Sequence, residues 1–160
     1  MNTEIGLYIH IPFCKSKCLY CDYPSTTNNR IQDKYFDYLL KEIDLVNYSG
    51  KIKTVFLGGG TPSYVGVKQI DKIFRRFDLS NVSEITIESN PETLNEEKLH
   101  EYFSLGINRL SLGVQTFDNS ILNAMNRLYD NEIIERNYYL ARRYFSNINF
   151  DFILGLPGII

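Results

Sequence analysis

Apolar positions along the chain follow two alternating rhythms, one of period two and one of period near 3.6. Residues 7–11 alternate strictly, with Leu7, Ile9 and Ile11 opposed to Tyr8 and His10, which predicts a strand. Ile31, Tyr35, Leu39, Ile43 and Val46 then share one helical face. A second strand is predicted over 54–57, stopped by Gly58-Gly59-Gly60, and a second helix over 67–77 from Val67, Ile70, Ile73, Phe74 and Phe77. Residues 84–88 read as a third strand. Thr93 with Glu96 has capping-box spacing, so a helix is expected to start there and to end at Gly106. A fourth strand over 109–114, helical stretches near 118–125 and 132–145, and a fifth strand over 148–153 complete the alternation.

Strand–helix–strand repetition at short period implies parallel strands joined by right-handed crossovers. On rhythm alone a doubly wound open sheet and a β/α barrel both remain open. The strand faces add information. Tyr8 and His10 in the first strand, Glu84, Thr86 and Glu88 in the third, Arg109, Ser111, Gly113 and Gln115 in the fourth, and Asn147, Asn149 and Asp151 in the fifth each make one face polar. Sheets covered by helices on both sides are apolar on both faces, and a complete eight-strand barrel is filled with bulky apolar side chains. One polar side in four strands fits a wider, open or curved barrel with helices outside and water or a polar ligand inside.

Composition narrows the class. The chain has 160 residues, 44% hydrophobic and 22% charged, which fits one soluble globular domain. A formal net charge of -2 gives no global attraction to nucleic acid or anionic membrane. No apolar run reaches bilayer length, and the N-terminus lacks a secretory signal pattern, so a cytoplasmic location is the expectation.

All three cysteines fall within residues 14–21, as Cys14-x3-Cys18-x2-Cys21. An odd, clustered set is a poor disulfide framework and a natural metal site in a reducing compartment. Thiolates hold iron–sulfur clusters, normally four to a cubane, so three leave one iron without a protein ligand. Structural zinc is the alternative, but it normally takes four ligands, and no second cysteine pair exists. Lys15 and Lys17 in the same loop could offset cluster charge. His10 shares a strand face with Tyr8, while His100 lies in a charged helix and is expected to be exposed.

The run Tyr8-Ile-His-Ile-Pro-Phe-Cys14-x3-Cys18-Leu-Tyr-Cys21-Asp resembles the opening of the radical S-adenosylmethionine (SAM) proteins related to oxygen-independent coproporphyrinogen III dehydrogenase. The resemblance continues in order through Phe56-Leu-Gly-Gly-Gly-Thr-Pro-Ser63, Glu88-Ser-Asn-Pro-Glu92, Gly106-Ile-Asn-Arg-Leu-Ser-Leu-Gly-Val-Gln-Thr-Phe117 and Asp151-Phe-Ile-Leu-Gly-Leu-Pro-Gly158. It implies an α/β fold, a partial (β/α) TIM-type barrel cut off after about five strands. Residues 1–160 would be the N-terminal part of the radical SAM core, the rest of the barrel and a C-terminal domain being absent. Ile159 and Ile160 stand where the family usually has Gln and Thr, and the fifth strand is expected to be an unpaired, aggregation-prone edge.

The resemblance also implies site residues. Cys14, Cys18 and Cys21 would bind a [4Fe-4S] cluster whose open iron chelates the amino and carboxylate groups of SAM. Tyr8, Gly59, Gly60, Thr61, Glu88, Gln115, Arg127 and Asp151 would contact SAM, and Tyr20 could stack on its adenine. No residue is assigned to catalysis beyond the cofactors. The decarboxylating dehydrogenases resemble Cys-x3-Cys-x2-Cys-x-Cys, and Tyr23 stands where their additional cysteine lies. That departure favours the branch of HemW-type haem chaperones. For that branch the resemblance implies haem or another tetrapyrrole as partner, with a haem-accepting protein and a protein reductant. Radical decarboxylation of propionate side chains and an inactive metal-binding fragment are the alternatives.

Overall fold

A computed structural model describes residues 4–155. Residues 156–160, including the end of the Leu-Pro-Gly motif, Ile159 and Ile160, lie outside the described residues. The chain forms β1 (Glu4–Ile11), α1 (Gln32–Val46), β2 (Lys51–Gly59), α2 (Val67–Phe74), β3 (Glu84–Ser89), α3 (Glu96–Ser104), β4 (Arg109–Gln115), α4 (Asn119–Ala124), α5 (Asn131–Ala141) and β5 (Asn147–Phe152).

All five strands are parallel and pair in chain order, β1-β2-β3-β4-β5. This order decides between the two architectures. A doubly wound sheet reverses direction at a switch point so that helices cover both faces. Here every crossover advances the same way, and right-handed crossovers then put every helix on one face. Contacts run from α1 to α2, from α2 to α3 and from α3 to α5, as a one-sided helical layer requires. The arrangement is part of a β/α barrel wall.

The two strand faces divide as the alternation predicts. Ile9, Ile11, Val55, Leu57, Ile85, Ile87, Leu110, Leu112 and Val114 are buried against Phe36, Ile70, Ile73, Leu99, Tyr102, Ile134 and Phe145 from the helical side. The opposite face of β3, β4 and β5 carries a polar ladder. Arg109 donates to Thr86 Oγ1 at 3.2 Å, Ser111 donates to Asp151 Oδ2 at 2.9 Å, and Asn149 donates to Asp151 Oδ1 at 2.7 Å. Among the described residues β5 pairs only with β4.

Local boundaries differ from the sequence reading in three places. The cap of α3 is Asn95, whose side chain accepts from the Lys98 amide at 2.8 Å, and not Thr93. Thr93 instead closes a 3-10 turn, Pro91–Thr93, by donating to the Asn90 carbonyl at 2.7 Å. Helix α2 stops at Phe74 and α5 at Ala141, although Phe145 is buried. Turns after each helix keep apolar side chains on the core face, so the periodicity outlasts the helix. Strands β1 and β2 are longer than expected because Glu4 and Ile5 pair with Lys51 and Ile52 beyond a register shift that leaves out Lys53, which forms an ion pair with Glu4.

Candidate cofactor site

The loop that follows β1 returns on itself. Phe13 and Thr26 form a parallel bridge. The Cys14 amide donates to the Thr26 carbonyl at 2.9 Å, and the Thr26 amide donates to the Pro12 carbonyl at 2.8 Å. On its other flank the loop runs against the end of β2. The Gly60 amide donates to the Ile11 carbonyl at 2.9 Å and the Thr61 amide to the Phe13 carbonyl at 2.9 Å. The tip rests on the turn after α4. There the Leu19 amide donates to the Met125 carbonyl at 3.3 Å and Asn126 Nδ2 to the Lys17 carbonyl at 2.9 Å. Asn126 takes a left-handed conformation, φ 61°, which asparagine tolerates better than most residues.

This anchoring sets the three cysteines around one cavity of about 170 Å³ at the carboxyl ends of the strands. All three are free thiols and half-buried. The cavity is also lined by Tyr20, Gly60, Thr61, Glu88, Gln115, Arg127 and Asp151. Two residues expected there, Gly59 and Tyr8, are not among those that line it. Gly59 supports the wall, donating its amide to Glu88 Oε2 at 3.0 Å. Tyr8 is about half exposed and belongs to a separate chain of hydrogen bonds with His10 and Tyr23.

That chain has one consistent direction. The Pro24 carbonyl can only accept, so His10 Nε2–H donates to it at 2.9 Å. With Nε2 as the donor, Nδ1 accepts from the Tyr8 hydroxyl at 3.1 Å, and the Tyr23 hydroxyl in turn donates to Tyr8 at 3.3 Å. Tyr23 thus ties the far side of the cysteine loop to β1. His100, as expected, is exposed, with its ring against Tyr144.

The glycine run has a specific steric role. A Cβ on Gly60 would stand 2.7 Å from Pro12 backbone atoms and 2.8 Å from Cys14 Sγ. Gly59 has φ 127°, and a Cβ there would meet the Ile11 carbonyl at 2.8 Å. Only glycine lets the cysteine loop lie on the end of β2. Gln115 ends β4 in the left-handed region, φ 67°, at a register shift between β4 and β5. Its amide occupies the space that Gly113 leaves open, since a Cβ on Gly113 would lie 2.8 Å from Gln115 Nε2. A glutamine held in that conformation is a local strain of the kind found at binding sites.

Charge in the cavity is mixed. Burial raises the Glu88 carboxyl above the usual carboxylate range, the Gly59 amide opposes this, and Asp151 raises it further. Burial also raises the Cys18 thiol, while Arg127 works to lower it. The Arg127 guanidinium donates to Asn90 Oδ1 at 3.1 Å and to the Tyr20 hydroxyl, and its centre lies 5.5 Å from the Tyr20 ring and 5.6 Å from the Tyr129 ring. The Tyr20 ring therefore already packs on a cation.

The site also contains residues that sequence reasoning assigned no role. Ser89, Asn90, Glu92 and Ser111 line the cavity. Ser89, Asn90 and Glu92 were visible as part of a motif and Ser111 as part of a polar strand face, but neither signal gives direction. Ser89 Oγ, Glu92 Oε2 and Arg127 Nε are buried without a hydrogen-bond partner among the described residues.

The radical SAM superfamily profile matches residues 8–159. The chain is 40% identical over 168 residues to the haem chaperone HemW of Buchnera aphidicola subsp. Schizaphis graminum, spanning 96% of this chain and 43% of that protein. The chain belongs to the radical SAM superfamily. It is also 33% identical to the oxygen-independent coproporphyrinogen-III oxidase-like protein HemZ of Bacillus subtilis, over 99% of this chain and 34% of HemZ. Among solved structures, the radical SAM coproporphyrinogen III oxidase HemN of Escherichia coli superposes with a TM-score of 0.86 at 34% identity, covering 95% of this chain and 37% of HemN. The five-stranded unit is thus a portion of the radical SAM barrel, and the chain spans less than half the length of these relatives.

The donor set fits the cluster that this superfamily implies. Among the described residues no three His, Cys, Asp or Glu side chains stand close enough to share a single ion. A cubane makes a different demand, with one thiolate to each of several irons. Three free thiols around one cavity, with a glycine wall that leaves room at Cys14, meet that demand.

Proposed function

We propose that this chain carries the cofactor-binding part of a HemW-like haem chaperone, holding a [4Fe-4S] cluster on Cys14, Cys18 and Cys21 with SAM beside it. The observation that carries the reading is the convergence of three free thiols with Gly60, Thr61, Glu88, Gln115, Arg127 and Asp151 on one cavity at the carboxyl ends of successive strands. In β/α barrels that end is where binding and chemistry are built.

When bound, such a cluster supplies an electron for reductive cleavage of SAM and radical formation. The chain's own residues bind and orient. Thr61 Oγ1 lies 3.6 Å from Cys14 Sγ and can donate to the thiolate. Glu88, Asp151 and Gln115 offer hydrogen-bonding groups to ribose or amino-acid atoms of SAM, with Glu88 held by Gly59 and Asp151 by Ser111. Arg127 brings positive charge toward Cys18. Gly59 acts in this reading by holding Glu88, and Tyr8 through its hydrogen bonds with His10 and Tyr23.

The haem function rests on likeness to HemW and on Tyr23, which fills the position of the dehydrogenases' additional cysteine with a side chain bonded to Tyr8. In this reading the whole protein acts in the cytoplasm, takes haem from solution and passes it to an acceptor protein, and a protein reductant supplies electrons. The competing reading, radical decarboxylation of a porphyrinogen, is favoured by the close superposition on HemN.

Anaerobic reconstitution with iron and sulfide, followed by electron paramagnetic resonance with and without SAM, tests the cofactor site. A reduced-cluster signal that changes on SAM addition is expected; failure to take up iron and sulfide overturns the reading. Haem titration of the full-length protein, followed by absorption and by transfer to an apo-haemoprotein, tests the chaperone role. Absence of haem uptake together with 5′-deoxyadenosine and vinyl products from coproporphyrinogen III would decide for the enzyme.

A further inference from the structure

Glu92 turns inward with one of its carboxylate oxygens unpartnered. Strand β3 ends at Ser89, and the turn Pro91–Thr93 carries Glu92 into the lining of the cysteine cavity. Its Oε2 is buried and accepts no hydrogen bond, and among the described residues Glu92 forms no salt bridge. Burial raises its carboxyl above the usual range, while its own backbone amide, Arg127 and Lys15 act the other way. A fold rarely leaves a buried acceptor idle, because its desolvation is uncompensated.

Arg127 presents the complementary vacancy. Its terminal nitrogens are engaged by Asn90 and Tyr20, but Nε is buried and unbonded. Glu92 and Arg127 feel each other's charge without pairing. Cys18 also feels both, so the two unfilled groups lie on the cysteine side of the cavity. An α-amino-acid group carries N–H donors and carboxylate acceptors next to each other, matching an acceptor and a donor so placed.

We propose that Glu92 binds the amino-acid end of the ligand in this cavity, its Oε2 accepting a hydrogen bond from the ligand's amino group. The inference rests on the SAM reading above, which supplies an amino-acid end on the cluster side. Glu88 and Asp151, which line the same cavity, remain for the nucleoside portion.

The test uses the full chain reconstituted anaerobically and a matched pair of neutral thioethers. S-adenosylhomocysteine has the amino-acid end, and 5′-methylthioadenosine lacks it. Equilibrium dialysis on Glu92→Gln should show binding of S-adenosylhomocysteine weakened about tenfold, the scale of one charge-assisted hydrogen bond. Binding of 5′-methylthioadenosine should be unchanged. Glu92→Leu, which removes the acceptor altogether, should lose at least as much with the same selectivity, and circular dichroism checks that both variants fold. Equal weakening of both ligands, or no change in either, overturns the role of Glu92 and leaves the SAM reading standing. A wild-type chain that binds neither SAM nor S-adenosylhomocysteine overturns both.

Discussion

Gly60 and Cys14 are in such close apposition that a single methyl group on Gly60 would lie 2.8 Å from the Cys14 sulfur. The end of β2 is thus a bearing surface for the cysteine loop. This contact places the first sulfur relative to the strand ends on which Glu88, Gln115 and Asp151 sit.

Gly60→Ala is expected to push the Pro12–Cys14 backbone off β2. Gly60 is not in the left-handed region, so the cost is contact and not backbone strain. Iron and acid-labile sulfide bound after anaerobic reconstitution should fall well below wild type while the far-ultraviolet circular dichroism is retained. Wild-type cluster content in this variant would show that the apposition does not control loading.

Glu88 supplies a pH dependence whose sign follows from its environment. Its folded pKa is raised by burial, so the folded state holds the proton more tightly than the unfolded chain. Its stabilising contribution is therefore complete below the ordinary carboxyl pKa and is lost as pH rises through the raised value. Glu88→Gln should remove this part of the decline. Urea midpoints of the two metal-free proteins, measured upward from about pH 4, should diverge with increasing pH, wild type losing more. Parallel curves would contradict the assigned cause.

Arg127→Lys should not behave as a conservative change. The guanidinium bonds Asn90 and Tyr20 together and lies near two tyrosine rings, which an ammonium cannot reproduce. A loss of about 1–3 kcal/mol is expected from the hydrogen bonds to a charged group. Denaturant unfolding measures it, and a change under the lower bound would mean that Tyr20 and Asn90 find other partners.

Leu110 is fully buried near the centre of the sheet, with no exposed surface to relax into. Leu110→Ala is expected to cost about 2–5 kcal/mol, transfer loss plus cavity. Against the marginal stability of a small domain this would nearly unfold the chain. A calorimetric transition unmoved by the substitution would place the core elsewhere.

How far the sequence reached can be judged from particular residues. The Leu110/Ser111 and Ile87/Glu88 alternations were enough to assign an apolar and a polar face to the strands, because a side-chain period of two is imposed by backbone geometry. They favoured a barrel over a doubly wound sheet, but the order in which strands pair is not written in any single strand, and the in-order pairing β1-β2-β3-β4-β5 settles it. Thr93 misled because a threonine three residues before a glutamate satisfies the capping pattern equally well in a turn. The preceding Pro91 and the Asn90 carbonyl, which accepts from both the amide and the hydroxyl of Thr93, made the turn the better use of that hydroxyl. Tyr20 reads as an aromatic platform in sequence, and Arg127 from the turn after α4 meets its ring in the folded chain. That pairing spans most of the chain and leaves no local pattern.

Residue type and spacing alone therefore determined the strand and helix order, the polar interior and the cysteine motif, since each depends on bonds and contacts among near neighbours. The tertiary structure alone decided the in-order pairing of the strands, the seating of Cys14 on Gly60, the meeting of Arg127 with Tyr20 and the inward turn of Glu92. These follow from the packing of segments distant in sequence, where steric exclusion between backbones determines what can face the cavity.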